Sequence, residues 1–434
     1  MSFAAVQRIL GLLLTVFSFT LVPPFVVALV TRDGAAAAFA SAFALTLSIG
    51  FISWLPVRSI RRELRLRDGF VVVVMFWTVL STIGALPFIL ADDPHLSITD
   101  AMFESISGLT TTGATVITHL EVLPKSILYY RQQLQWLGGM GIIVLAVAVL
   151  PMLGIGGMQL YRAETPGPMK DSKLTPRITE TAKALWYIYL SLTIVCGFAY
   201  WLAGMSAFDA VGHAFSTVAI GGFSTHDASI GYFNSSVIDM IAVVFMFLAG
   251  VNFSLHFVAF RHRSISGYWR DSEFRFYTLL LSSVILVTVL GLYFTQTYDR
   301  WQDALLNGLF QAVSIGTTAG FTTAEFYNWP GFIAIALLFS SFVGGCAGST
   351  GGGIKVIRLL LLVKQGLREI TRLVHPSAQI PVRIGSKTVD SRVVEAVWGF
   401  FALYVASFTV MYLALAATGL DLMTAFSAVA ASIN

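Results

Sequence analysis

The residues whose types and spacing invite a chemical reading form a short motif in three copies. They are Ser107-Gly-Leu-Thr-Thr-Thr-Gly113, Ser216-Thr-Val-Ala-Ile-Gly-Gly222 and Ser314-Ile-Gly-Thr-Thr-Ala-Gly320. Each sets a glycine six residues after a serine, has Ser or Thr again soon after, and follows an Asp-Ala pair at Asp100, Asp209 or Asp303. Such residues suit a strand whose backbone, rather than its side chains, does the chemistry. Glycine reaches dihedrals that turn carbonyls toward an axis, and rings of carbonyl oxygens can replace the water around a cation. Copies roughly a hundred residues apart are whole structural units rather than solenoid turns. A fourth copy begins at Asp421-Leu422 and runs to Asn434 without reaching a glycine. The chain is read as cut short there rather than as a three-quarter pore, because an open quadrant would expose polar backbone to lipid.

The elements that must position these loops follow from composition. Of the 434 residues, 56% are hydrophobic and 12% charged, with a mean hydropathy of +0.78. A soluble domain carries about 25% charged residues, so this is a membrane protein. Apolar runs long enough to cross a bilayer as helix lie at about 9–30, 35–57, 70–91, 126–152, 184–204, 236–260, 276–297, 331–363 and 393–419. The first run lacks a small-residue cleavage site and a second span follows at once, which argues against a signal peptide. Cys196 and Cys346 lie in apolar runs without metal-type spacing.

Charge fixes the topology. The loop 58–69 carries five arginines and is expected to be cytoplasmic. Alternating from there puts the basic segments 153–183, 261–275 and 364–392 inside as well. Outside remain Arg32, Lys125, Arg131 and Arg300, with acids such as Asp92, Glu104, Glu121 and Asp227. Every copy of the motif then faces outward between two spans. Because each unit contains two spans, consecutive units share one orientation and are parallel repeats. Each Asp is expected to be the N-cap of a short pore helix whose negative C-terminal end points at the membrane centre and favours a cation there. Glu104 and His213 are read as packing or outer-vestibule groups.

A second repeat supports the first. Trp136-Leu-Gly-Gly-Met-Gly141, Phe247-Leu-Ala-Gly-Val-Asn252 and Phe342-Val-Gly-Gly-Cys-Ala347 align column by column. In the first two, the small residues are read as close helix packing. The third continues into Gly348-Ser-Thr-Gly-Gly-Gly353-Ile-Lys355, with too many glycines for a simple kink. It lacks the ending of a phosphate-binding P-loop. The expectation is a movable segment below the filter, a gate, against the alternative of a kinked packed helix. Lys355 and Arg358 are expected to snorkel to the cytoplasmic interface.

These motifs together resemble the TrkH family, the membrane subunits of bacterial Trk potassium uptake systems, within a superfamily that includes KtrB and the plant HKT proteins. The resemblance covers essentially the whole chain, and the two leading spans favour TrkH over KtrB. It implies an all-α polytopic membrane protein: two N-terminal spans and four parallel M1–pore loop–M2 repeats around a pseudo-fourfold axis. The expected division is 1–67 for the leading spans, then 68–165, 166–268, 269–375 and 376–434 for the repeats. It implies a filter at Thr111, Thr112 and Gly113, at Ile220, Gly221 and Gly222, and at Thr318, Ala319 and Gly320. The implied gate comprises Gly344, Gly345, Gly348, Ser349, Thr350, Gly351, Gly352 and Gly353. It further implies K⁺ as permeant ion, a homodimer, a cytosolic TrkA-type nucleotide-binding ring as partner, and the bacterial inner membrane, with the N-terminus cytoplasmic and the pore loops periplasmic.

The function expected is gated, channel-like K⁺ uptake, with Rb⁺ tolerated because one glycine per loop suggests fewer ordered carbonyl rings than a longer filter. The alternative is a coupled K⁺/H⁺ symporter, which would want ionisable groups inside the spans. No paired carboxylates, metal spacing or nucleophile constellation suggests an enzyme, and no catalytic residue, covalent cofactor or nucleic-acid partner is expected. Arg162, Lys170, Lys173 and Arg177 suit either the partner or anionic lipid.

Overall fold

The computed structural model describes residues 3–60, 66–149, 178–385 and 387–434. Arg162, Lys170, Lys173 and Arg177, and the expected repeat boundary at 165–166, lie outside the described residues. What is described is almost entirely helical and falls into two compact units, one up to Ile241 and the other from Ala242 onward.

The first unit opens with α1 (Phe3–Phe19), α2 (Val22–Thr31) and α3 (Ala36–Trp54). The first span breaks at Thr20-Leu21, where Pro23 and Pro24 enter the first turn of α2, the helical position that tolerates proline. α1 and α3 approach closely: a Cβ on Gly11 would lie 2.7 Å from Trp54 N, and one on Gly50 2.7 Å from Thr15 N. α4 (Leu66–Gly84) and α5 (Leu86–Leu90) lead to a short helix, α6 (Ile98–Leu109), and then to the long α7 (Lys125–Val149). α8 (Ile178–Leu202) precedes a second short helix, α9 (Ala207–Ala219). Ile9, Leu13, Phe17, Phe39, Phe76, Phe88 and Tyr130 belong to one buried cluster of this unit.

α10 (Ser236–Ala249) carries the chain into the second unit, where α11 (Phe253–His262) and α12 (Ser266–Arg270) follow. There α13 (Ser272–Phe294) and α15 (Gly331–Ser341) flank a third short helix, α14 (Trp301–Gly316). α16 (Val356–Val374), a two-stranded hairpin pairing Arg383–Ile384 with Lys387–Thr388, α17 (Ser391–Ala416) and α18 (Leu422–Ile433) complete the chain. Among the described residues, six helical segments are long and apolar enough to cross a membrane, and α10 with α11 also qualifies as a pair bent by 94°. Large apolar side chains such as Ile194, Phe198, Leu286 and Leu403 are exposed on these spans, as lipid-facing positions should be. The protein is a multi-pass helical membrane protein.

Two expected spans are broken, the first against the sequence reading and the second where its glycines predicted an interruption. The run 236–260 is not one helix: it stops at Ala249 and resumes, after Asn252 as N-cap, in a new direction. The run 331–363 stops at Ser341 and resumes only at Val356. Apolar residues continue across the first break, so hydropathy alone does not register it, whereas the glycines of 344–353 mark the second.

Candidate functional site

Each short helix ends in the same way. The residue at the turn is left-handed: Thr111 (φ 59°), Ile220 (φ 55°) and Thr318 (φ 73°). Its N–H donates to the carbonyl three residues back, at Gly108 (3.1 Å), Thr217 (3.1 Å) or Ile315 (3.0 Å). The next N–H, of Thr112, Gly221 or Ala319, donates to the motif serine's carbonyl, Ser107 (2.9 Å), Ser216 (2.8 Å) or Ser314 (2.7 Å). This is a Schellman closure, which satisfies carbonyls that a helix end leaves orphaned. The usual occupant of the left-handed position is glycine, yet here all three are β-branched, an uncommon and strained choice. Two residues on, Gly113, Gly222 and Gly320 again have positive φ, of 76°, 80° and 82°. Gly113 has a second constraint, because a Cβ there would collide with the Gly221 carbonyl oxygen. The nine expected filter residues thus share one backbone path in three copies.

The strand leaving each glycine is tied back to its own short helix. Ser107 Oγ donates to Ala114 O (2.5 Å) and Ser314 Oγ to Phe321 O (2.6 Å). Ser216 Oγ, also buried, has no such partner; Phe223 O accepts instead from Gln132 Nε2 at 3.3 Å. A second tie comes from the residue nine before each glycine. Glu104 accepts from Thr115 Oγ1 (2.9 Å) and Val116 N (3.2 Å). His213 Nε2 meets Ser224 Oγ at 2.9 Å. The Gln311 amide oxygen, oriented by its neighbours, accepts from Thr323 N (3.0 Å) and Ala324 N (3.3 Å). Glu104 and His213 are therefore struts rather than vestibule groups. The sequence offered a signal for this, a buried polar residue in one fixed column.

The acidic residues that open the copies depart from expectation. Only Asp421 is an N-cap, accepting from Thr424 N at 3.2 Å. Asp100 and Asp209 sit at the third helical position, each with a capping serine, Ser97 or Ser206, bonded to both its N–H and its carboxylate. Asp303 holds the same position in α14 without a side-chain cap before it. In all three, the carboxylate still lies in the positive first turn. Burial pushes the Asp209 carboxyl up, but hydrogen bonds from His226, Ser206 and Thr225 outweigh it and hold the group well below the usual carboxylate range.

The expected gate residues form a closed loop, not a kinked helix. Its neck is tied by Ile354 N to Phe342 O (2.8 Å), Lys355 N to Val343 O (2.8 Å) and Val356 N to Gly345 O (3.0 Å). Gly344, Gly348 and Gly353 all have positive φ. The loop seats on the break after α10. Carbonyls that a helix end leaves open are satisfied there: Phe247 by Tyr277 Oη (3.2 Å), Leu248 by Val251 N (3.1 Å) and His256 Nε2 (2.9 Å), Ala249 by Thr350 N and Oγ1 (both 3.3 Å), and Gly250 by Cys346 N (2.8 Å). In return Gly348 O accepts from Phe253 N at 3.0 Å. The small residues of the second copy are thus a receptor for the loop and not only packing. In the first copy the packing reading holds, since a Cβ on Gly139 would press on Ala219 Cα at 2.8 Å, and Gly141 (φ 50°, ψ −168°) in addition breaks the helical path of α7.

Three further residues complete the loop. Glu273 Oε1, at the start of α13, accepts from Ala347 N at 2.6 Å. In the sequence, Glu273 showed only as an acid at a span's edge. Lys355 does not snorkel outward: it turns into the loop, donating to the carbonyls of Gly351 and Ser349. The Arg358 guanidinium lies 4.0 Å from the Phe400 ring. The loop also touches the third filter copy, through Gly352 N donating to Thr318 Oγ1 at 2.8 Å.

Comparison with known proteins bears on this arrangement. The chain is 59% identical over its whole length to the Trk system potassium uptake protein TrkH of Vibrio parahaemolyticus and 55% identical to that of Escherichia coli K12, covering 90% of each. The crystal structure of the potassium transporter TrkH from Vibrio parahaemolyticus superimposes with a TM-score of 0.90 at 56% identity, over 99% of this chain and 89% of that one. The family model of TrkH, described as a cation transport protein, matches residues 35–434. This chain belongs to the TrkH family of cation transport proteins.

Proposed function

We propose that this chain is the conducting subunit of a K⁺ uptake system, a gated channel of the bacterial inner membrane with its filter loops facing the periplasm. The observation that carries the reading is the backbone path repeated in three copies, a strained Schellman closure followed by a positive-φ glycine. Backbone held in sparsely populated dihedrals clusters where function requires it. Carbonyls of Thr111–Gly113, Ile220–Gly222 and Thr318–Gly320 would take the place of water around a dehydrated K⁺. The Gly221 carbonyl already accepts from Gln135 Nε2 at 2.6 Å, so in that copy the neighbouring carbonyls carry more of the ion contact. The loop 344–353 is the gate: held to the third filter by one hydrogen bond, it must move for ions to pass. Similarity to the Trk system potassium uptake proteins supports the choice of K⁺ and membership of a multi-component system; the four-repeat division of the chain, assembly as a homodimer and control by a cytosolic nucleotide-binding ring are part of the same proposal.

The test is ⁸⁶Rb⁺ uptake by proteoliposomes containing the complete protein, under K⁺ or Na⁺ competition and with or without a pH gradient. K⁺ should compete more strongly than Na⁺, and uptake should not follow the proton gradient. Uptake that tracks the proton gradient would replace the channel with a symporter. Uptake indifferent to added K⁺ would remove the filter reading altogether.

A further inference from the structure

α7 carries a polar run inside a span, Arg131-Gln132-Gln133-Leu134-Gln135, and all four polar side chains are buried. Burying such groups is costly unless they are bonded. Three of them spend their bonds on one target, the strand around Gly222. Gln135 grips it with both ends of its amide, Nε2 donating to Gly221 O at 2.6 Å and Oε1 accepting from Phe223 N at 3.0 Å. Gln132 Nε2 donates to Phe223 O at 3.3 Å, and Arg131 Nη1 to Ser224 O at 3.3 Å. The Arg131 guanidinium also lies 4.3 Å from the Phe223 ring.

Arg131 connects this strand to the first copy. Its Nε pairs with Glu104 Oε1 at 2.6 Å, with the two side chains 1% and 0% exposed, and its Nη2 donates to Thr115 Oγ1 at 2.9 Å. Glu104 in turn holds Val116 N. One buried ion pair therefore bridges the strands that leave Gly113 and Gly222. The other two aligned spans have nothing comparable, since the columns of Arg131, Gln132 and Gln135 hold Ala242, Val243 and Met246 in one and Leu337, Leu338 and Ser341 in the other.

We infer that Gln135 and the Arg131–Glu104 pair are specificity-determining positioning residues: side chains that touch no ion but fix the bore of the filter at its second copy. This rests on the reading of residues 220–222 as filter. Cation discrimination by carbonyls depends on how far their positions can relax around a smaller ion. A strand held by four hydrogen bonds from one helix, at Gly221, Phe223 and Ser224, relaxes least. Selectivity is then built asymmetrically, with the second copy as its rigid quarter.

The experiment is ⁸⁶Rb⁺ uptake by proteoliposomes of the complete protein with graded K⁺ and Na⁺ competition, for wild type, Gln135→Met, Gln135→Glu and, as control, Met246→Leu. Gln135→Met removes both bonds at similar volume; Gln135→Glu keeps the acceptor for Phe223 N and loses the donor to Gly221 O. The ratio of K⁺ to Na⁺ competition should fall about tenfold or more in Gln135→Met, as expected for loss of two buried hydrogen bonds. It should fall part-way in Gln135→Glu, and stay unchanged in Met246→Leu. Size-exclusion profile and melting temperature identify a variant that has merely misfolded, in which case the isosteric Gln135→Glu decides. Both Gln135 variants folding with the wild-type ratio, even at reduced total uptake, would reduce these residues to scaffolding and overturn the inference. Wild-type uptake indifferent to added K⁺ would remove the filter reading, and the inference with it.

Discussion

Thr318 Oγ1 accepts a hydrogen bond from Gly352 N at 2.8 Å, so a residue at the strained turn of the third filter copy also anchors the glycine-rich loop. The loop's other attachments run to its own neck, to the break after α10, to Glu273, and to Asn434 O, which accepts from Gly353 N at 3.2 Å. The Thr318 bond is the one that reports directly from filter to loop. Thr318→Val keeps the β-branched shape and deletes the acceptor. A hydrogen bond of about 0.5–1.5 kcal/mol corresponds to a shift of about 2- to 10-fold in the loop's open–closed equilibrium. Basal ⁸⁶Rb⁺ uptake without any partner should rise by that factor. Uptake equal to wild type would mean that the loop is held shut elsewhere.

Glu273 offers a stronger handle on the same equilibrium. Its carboxylate takes the Ala347 N–H, and bonds to charged groups contribute about 1.5–3 kcal/mol. Glu273→Gln retains a neutral acceptor and should raise basal uptake only a few-fold. Glu273→Leu leaves that N–H without its acceptor and should raise it by about 10- to 100-fold. The same order should appear in the rate at which a cysteine-reactive reagent labels a serine-to-cysteine probe at Ser349. Equal labelling of the two variants would sink the idea that this carboxylate clamps the loop.

Thr111 tests the strain at the filter. A left-handed L-residue costs roughly 1–2 kcal/mol, and glycine carries no such penalty. Thr111→Gly should therefore hold or slightly raise the melting temperature in detergent while loosening the first copy, and Na⁺ should compete better for ⁸⁶Rb⁺ uptake than in wild type. A lower melting temperature with unchanged selectivity would show that the threonine side chain packs rather than constrains.

The parts of this architecture legible in the sequence are those written in repeated local patterns. The Ser-to-Gly spacing around Gly113, Gly222 and Gly320 marked the three loops because the same backbone closure recurs with the same sequence cost. The spans around them showed because lipid demands long apolar helices. The breaks at Gly250–Asn252 and Phe342 were hidden or underestimated, since small apolar residues satisfy both a packing motif and a loop receptor. The β-branched residues in left-handed turns ran against propensity, as strained sites do. Arg131 and Gln135 stood out only as polar residues in a span. Their targets, Ser224 and Gly221, lie far along the chain, and no local pattern encodes which backbone a buried amide will meet.

His213 gives the pH dependence of the second copy. Its Nδ1 lies 2.8 Å from Asp209 O, a carbonyl that can only accept, so in the neutral ring Nε2 accepts from Ser224 Oγ at 2.9 Å. Burial lowers its pKa from 6.5 to about 4, partly opposed by the Asp209 carbonyl and carboxylate and reinforced by nearby His226. The unfolded chain therefore binds a proton that the folded one refuses. The stabilisation is fully present above about pH 6.5 and drains away as pH falls toward 4, at up to about 1.4 kcal/mol per unit. Asp209, whose pKa is depressed, loses its own contribution only at lower pH, as pH falls below the ordinary carboxylate range. Melting temperature in detergent should thus decline between pH 6.5 and 4 in wild type and stay flatter in His213→Gln, whose amide oxygen can still accept from Ser224. Parallel declines in the two proteins would place the acid sensitivity elsewhere in the chain.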